Sequence, residues 1–253
     1  MYFQIDNSAV RIAGSCHDFP RELPDIPQWL MDAYSWCEDL ILESNPLGNP
    51  DAANHLFGDV PLRKQIGTRT WLQLALHWPR FWMISRMHRM KSWAVVAHIP
   101  HLLMPLGPGV EVQLAKRAQR ESKLVGQLES SADLARILDT IPSDVLRGRI
   151  LSAMRDLPTE RNRVRDSHEA WRRGDFRAVA AHAEHLPVMN TPEMWHAYLQ
   201  IRNRNWLNTI HKVAQSARRT LIVVGVVHLC GPENLIDLYR QEFGAGIAAV
   251  PRS

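Results

Sequence analysis

Apolar residues follow two rhythms along this chain. Near both ends they form short runs with few polar residues, most closed by a glycine or a carboxylate: Ala9–Ala13 before Gly14, Asp39–Leu42 before Glu43, Thr220–Val224 before Gly225, and a last run at Gly246–Val250. Aliphatic, β-branched runs of this length read as strands buried on both faces. The middle instead repeats apolar positions at three- and four-residue spacing, the helical period. It predicts helices over Trp71–His77, Phe81–Met90, Glu111–Arg120, Ser131–Arg172 with breaks at Pro142 and Pro158, Phe176–His185 and Glu193–Ala217. Lys123–Leu128 interrupts that region as a further strand ending at Glu129. Gln28–Cys37 is a helix with Trp29, Leu30, Ala33 and Trp36 on one face, and Pro232–Arg240 is a helix with proline near its first turn. Asn45–Asp59 reads as loop with at most a turn of helix, Pro187–Pro192 as a loop, Leu106-Gly107-Pro108-Gly109 as a turn, and Ser92–Leu103 as helix or strand.

Strands separated by helices predict an α/β fold: a central parallel or mixed sheet assembled from N- and C-terminal segments, with a large helical middle region. The expected organisation is a single domain over residues 1–253, its core drawn from 1–44, 123–130 and 193–253, with a mainly helical insertion at 45–190. Sites in such sheets form beyond the carboxyl ends of the strands. Four residues from distant stretches stand there: His17, Glu43, Glu129 and His228.

Gly14-Ser15-Cys16-His17 and Gly225-Val226-Val227-His228 share one arrangement, a strand, a glycine exit and a histidine three residues on. Two such units suggest a ligand pair for Zn, Mn, Co or Fe, against the plainer alternative of turn glycines and core histidines. Glu43 and Glu129 each close an apolar strand, where a carboxylate needs a cation or hydrogen-bond donors to stay charged, or else simply caps a loop. Arg202-Asn203 lies in the late helix, either on a solvated face or pointing into the crevice to bind an anion or oxyanion. Cys16 and Cys230 lie beside the two histidines, so a cysteine nucleophile is a further alternative. No Walker loop, Gly-x-Gly-x-x-Gly, His-Glu-x-x-His or Gly-x-Ser-x-Gly occurs.

Composition narrows the class. The 253 residues are 45% hydrophobic and 22% charged, enough for a sizeable core and too ordered a mix for extensive disorder. The net charge of +4 is mild. The densest basic stretch, Arg147 to Arg165, is broken by Asp156 and Glu160 and reads as a solvated helical face, so no nucleic-acid partner is expected. Three cysteines argue against a disulfide framework. The start Met1-Tyr2-Phe3-Gln4-Ile5-Asp6 is no signal peptide, and the longest apolar run, Leu221–Leu229, is too short to span a bilayer. The expectation is a cytoplasmic protein without stable membrane insertion; the oligomeric state is open.

The motifs in their order resemble the TraB/GumN family of the Tiki superfamily. The resemblance is carried by the two Gly-x-x-His units, the strand-closing Glu43, Gly126-Gln127-Leu128-Glu129-Ser130, Trp171-Arg172-Arg173-Gly174-Asp175, Arg202-Asn203-Arg204-Asn205-Trp206 and Val224-Gly225-Val226-Val227-His228-Leu229-Cys230-Gly231. Three details depart from the family pattern: Gln127 is an extra residue, Cys16 precedes the first histidine, and Gly109-Val110-Glu111 stands where the family has Gly-x-Asp. The resemblance implies an EreA/ChaN-like, Tiki-like sheet and a divalent metal, Mn or Co before Zn. It implies peptidase-type hydrolysis of a peptide or small-molecule substrate. His17, Glu43 and His228 are then the metal residues, with Glu43, Glu129, Arg202 and Asn203 as catalytic residues. The rival expectation is a non-catalytic sequestering or immunity protein that binds a peptide or metal ligand in the same crevice.

Overall fold

The computed structural model describes residues 2–17, 19–20, 26–47, 52–78, 86–184 and 191–250. Eight strands occur among them: β1 Tyr2–Ile5, β2 Val10–Ser15, β3 Phe19–Pro20, β4 Asp39–Leu42, β5 Leu106–Gly107, β6 Leu124–Gln127, β7 Thr220–Gly225 and β8 Ile247–Ala249. Six form one mixed sheet in the order β6-β4-β7-β2-β1-β8. The fold is α/β, as the apolar rhythm predicted.

The first and last apolar runs are neighbours. β2 and β7 pair in parallel from Val10 opposite Thr220 to Ser15 opposite Gly225. β4 pairs in parallel with both β7 and β6. Four parallel strands therefore end on one edge of the sheet. Every residue of β7 is buried, which explains its uninterrupted apolar sequence. Its side chains alternate between the two faces. Leu221 and Val223 pack with Leu30, Leu114 and Trp171, whereas Ile222 and Val224 pack with Trp206, Ile210 and Tyr239. A third core cluster, including Leu62, Leu74, Trp93, Ile150 and Met194, holds the helical middle together.

Several boundaries differ from the sequence reading, each for a local reason. Tyr2–Ile5 was not expected to be a strand; it pairs antiparallel with β2 and carries β8 on its other side. Leu106–Gly107 is not only a turn, since it pairs with Phe19–Pro20. Ser92–Leu103 resolves into two short helices, Ser92–Ala97 and Ile99–Leu103. The break assigned to Pro158 falls at Asp156, whose side chain accepts from Thr159 N and caps Leu157–Arg173 while the proline sits in its first turn. The last helix begins at Leu235 rather than Pro232, because Asn234 caps it and Gly231 and Glu233 adopt positive φ. The late helix carries a π-helical turn, His196–Gln200, just before Ile201–Ala214. The Phe81–Met90 helix is described only over residues 86–90, where Met87–Arg89 is a short 3-10 turn, and the Pro187–Pro192 loop only over 191–192, where the helix Pro192–Trp195 begins.

The basic stretch is not wholly a solvated face. Arg149 is buried and its Nη2 donates to Glu160 at 3.0 Å. Among the described residues no helix is long and apolar enough to cross a membrane.

Candidate active site

His17 follows the end of β2, and a glycine from another segment holds it there. A Cβ on Gly109 would stand 1.9 Å from the His17 carbonyl oxygen, so only glycine lets the two backbones pass this closely. Val110 N donates to Cys16 O at 3.3 Å, which fixes the approach. Two residues on, in the first turn of the helix Val110–Arg120, buried Glu111 accepts from Ser15 Oγ, and its Oε1 lies 2.9 Å from His17 Nδ1. The imidazole is thereby oriented with Nε2 toward Glu43 Oε1, at 3.5 Å.

Glu43 and Glu129 leave adjacent parallel strands, and Glu129 N donates to Glu43 O at 2.9 Å. Both side chains are buried, and both bond one guanidinium. Arg202 Nη2 donates to Glu43 Oε2, while Nε and Nη2 donate to Glu129 Oε1 at 2.8 and 2.6 Å. Arg202 Nη1 donates to Tyr198 O at 3.0 Å and lies 3.1 Å from His228 Nε2. The guanidinium also stands over the Trp206 ring, 4.8 Å from its centroid. Arg202 is thus crevice-facing and buried, not on a solvated helical face.

His228 is 1% exposed and its tautomer is fixed by its neighbours. Asn203 Nδ2 donates to Glu233 O at 3.1 Å, which turns Asn203 Oδ1 toward His228 Nδ1 at 2.6 Å. Nδ1 therefore carries the proton, and Nε2 presents its lone pair toward Arg202 and toward Glu43 Oε1, 3.5 Å away. Gly225 completes the cradle. Its N–H donates to Glu43 Oε1, and an added Cβ would stand 2.8 Å from His17 Nε2 and 3.1 Å from Glu43 Oε1.

The two carboxylates on Arg202 are driven apart. Burial pushes Glu43 toward protonation, but Arg202, His17 and His228 outweigh it and hold it well below the usual carboxylate range. Burial raises Glu129, and Arg202 does not fully offset it. Such a split marks carboxyls able to take different roles. The Glu111 carboxylate, with Glu43 on the other side, holds His17 well above the usual imidazole range. His228 goes the other way, lowered to about 3 chiefly by burial, and stays neutral.

All six residues singled out in the sequence, His17, Glu43, Glu129, Arg202, Asn203 and His228, meet at this sheet edge. Glu111 joins them although sequence reasoning did not select it: it starts a helix, and the rule applied was strand exit. Its signal was the Gly109-x-Glu111 spacing, noticed only as a departure. The donor set suits a divalent ion in part. Two imidazole Nε2 atoms flank one carboxylate oxygen, and each Nδ1 is pinned by a second residue, the arrangement that orients metal-binding histidines. Three carboxylates are buried here: Glu43 and Glu129 share the Arg202 guanidinium, and Glu111 pairs with His17. Among the described residues, however, no three His, Cys, Asp or Glu side chains already form a closed cation cluster. Arg202 Nη1 stands 3.1 Å from His228 Nε2, on the side where an ion would approach that nitrogen.

The cysteines offer a poorer nucleophile. All three are free. Burial pushes the Cys230 thiol up to about 12 and raises Cys37 as well. Titration of native protein with a thiol reagent is expected to find one fast group, half-buried Cys16, and two more only after denaturation. Two fast groups would show that one of the buried thiols is accessible.

A crevice at the carboxyl edge of a mixed α/β sheet, with a Gly-x-x-His unit on either side, is the setting in which the family match falls. The TraB/PrgY/gumN family model matches residues 4–242, almost the whole chain, and the protein belongs to that family. No curated protein and no solved structure matches it.

Proposed function

We propose that this protein is a divalent-metal-dependent hydrolase of peptidase type, with His17, Glu43 and His228 as the metal residues and Mn or Co as the preferred ion. One observation carries the reading: His17 Nε2 and His228 Nε2 both lie 3.5 Å from the same Glu43 oxygen. Each nitrogen is therefore within twice that distance of the other. The charge of the cluster supports it, since three buried carboxylates outnumber Arg202 and a protonated His17, whose proton a bound cation would displace.

A divalent ion at these donors would supply Lewis acidity, polarising a carbonyl and making water more acidic. The chain's own groups do the rest. Glu111 and Asn203 keep the two imidazoles turned inward. Glu43, held ionised, is the ligand or base. Glu129, raised by burial, is the carboxyl suited to hold and release a proton. Arg202 anchors both carboxylates, and in this reading its charge stabilises a developing oxyanion.

Arg202 already bonded to His228 and both glutamates favours a second reading, a crevice that binds a peptide or metal-bearing ligand without turnover. Metal analysis of purified protein, together with a peptide-cleavage panel, separates the two. His17→Ala and His228→Ala are each expected to lose bound metal and cleavage while the fold persists. Bound metal with no cleavage would favour the second reading. Unchanged metal content in both variants would remove these histidines from the metal site.

A further inference from the structure

The loop that follows His228 docks on the late helical segment at two places. Gly231 lies against the Trp195 ring, where a Cβ would stand 2.7 Å from Cη2. Glu233 is held through its carboxylate, which accepts from Gln200 Nε2 in the π-helical turn and from Arg204 Nη2 one turn further on. Its backbone takes φ +52°, a left-handed conformation that a residue with a long side chain keeps only where its surroundings hold it. The carbonyl of this same residue accepts from Asn203 Nδ2 at 3.1 Å. Asn203 is 1% exposed, and its Oδ1 faces His228 Nδ1 at 2.6 Å.

The two ends of an asparagine amide have nearly the same shape, so the partner of Nδ2 decides which end meets the histidine. Among the described residues the Glu233 carbonyl is the acceptor that Nδ2 finds. Were that carbonyl turned away, Nδ2 would be a buried donor left unpaired, which Asn203 relieves only by turning. A turned amide sets its N–H against His228 Nδ1, which carries the proton because Arg202 Nη1 faces the other ring nitrogen. We propose that Glu233 is a positioning residue: clamped by Gln200 and Arg204 in a left-handed conformation, it fixes the Asn203 amide and through it the His228 imidazole. That the imidazole is fixed for a metal rests on the hydrolase reading above; the fixing itself does not.

The test uses the full-length protein, ¹⁵N-labelled, and reads the Asn203 side-chain amide, identified by its absence in Asn203→Asp, beside the affinity for Mn. In the wild type the bonded Nδ2 proton is expected to exchange slowly with solvent. Glu233→Val disfavours φ +52° and removes the clamp. It should speed that exchange at least about 10-fold and weaken Mn binding about 10- to 100-fold, the usual cost of losing a residue behind a ligand. Glu233→Gly loses the same clamp but adopts the left-handed conformation freely, and should restore most of both. A residue needed for stability alone would give no such recovery. Should Glu233→Val fail to fold, Gln200→Ala combined with Arg204→Ala releases the clamp from the other side, with faster exchange and about 3- to 10-fold weaker Mn binding expected. Wild-type exchange and Mn affinity in either variant would overturn the role of Glu233, and equal losses in Glu233→Gly and Glu233→Val would overturn the backbone conformation as its basis. Fast exchange of the Asn203 amide in the wild type would overturn the contact itself. The predicted exchange pattern in a protein that binds no Mn keeps the positioning role and removes the metal reading.

Discussion

Replacing Arg202 with methionine is expected to destabilise the protein by about 3–5 kcal/mol and to lower its melting temperature by about 10 °C. Methionine keeps much of the length and removes the charge. Glu43 and Glu129 would then remain buried beside each other with no cation between them, and Tyr198 O would lose a donor. Breaking a buried pair by removing one partner costs far more than the pair contributes, because the other charge stays desolvated. Glu129 softens the loss, since burial already raises its pKa and it takes up a proton more readily than Glu43 does. The effect should therefore fall toward the lower end of the range. A surface arginine replaced in the same way changes stability by no more than about 0.5 kcal/mol. Thermal unfolding of the two proteins decides the matter: a melting temperature within a degree of wild type would mean that Arg202 does not bridge the carboxylates in solution.

Gly225→Ala should act on the site and spare the fold. Gly225 has φ −53° and ψ 133°, a conformation alanine adopts freely, so no backbone strain is introduced. The added methyl instead enters the space between the ligands, 2.8 Å from His17 Nε2 and 3.1 Å from Glu43 Oε1. Glu43 is buried and held by three groups, whereas the His17 side chain is 53% exposed, so the imidazole is the one that yields. We expect stability within about 1 kcal/mol of wild type and at least about 100-fold weaker metal binding, above what loss of a supporting residue usually costs. Equilibrium dialysis against Mn or Co, read beside a denaturation curve, tests both halves. Unchanged affinity would mean that His17 and Glu43 do not act on a common ion.

The convergence of these groups was legible in the sequence because a parallel sheet aligns its strand exits. Once Ala9–Ala13, Asp39–Leu42, Lys123–Leu128 and Thr220–Val224 were read as strands of one sheet, their exits had to share an edge, and His17, Glu43, Glu129 and His228 are found there. The order β6-β4-β7-β2 was not legible, since apolar runs do not say which neighbours they choose. β1 escaped notice because three of its four residues are only half-buried, so no apolar run marks it. Glu111 was missed because it reaches the site from a helix start across a contact that depends on Gly109 meeting the His17 backbone. The direction of Arg202 was open from composition, and the π-helical turn just before its helix left no mark in the apolar spacing. Arg149 was misassigned for a related reason: helical spacing shows a basic stripe and does not show that Glu160, eleven residues on, folds back to bury it.

The central claim is that two histidines from opposite ends of the chain share one ion with Glu43. Crystals grown with Mn and measured where that ion scatters anomalously test it directly. The account predicts one strong anomalous peak at the sheet edge, within about 2.0–2.3 Å of His17 Nε2, His228 Nε2 and a Glu43 oxygen. A peak bound elsewhere, or none at the crevice with both imidazoles ordered and Mn in excess, would contradict it.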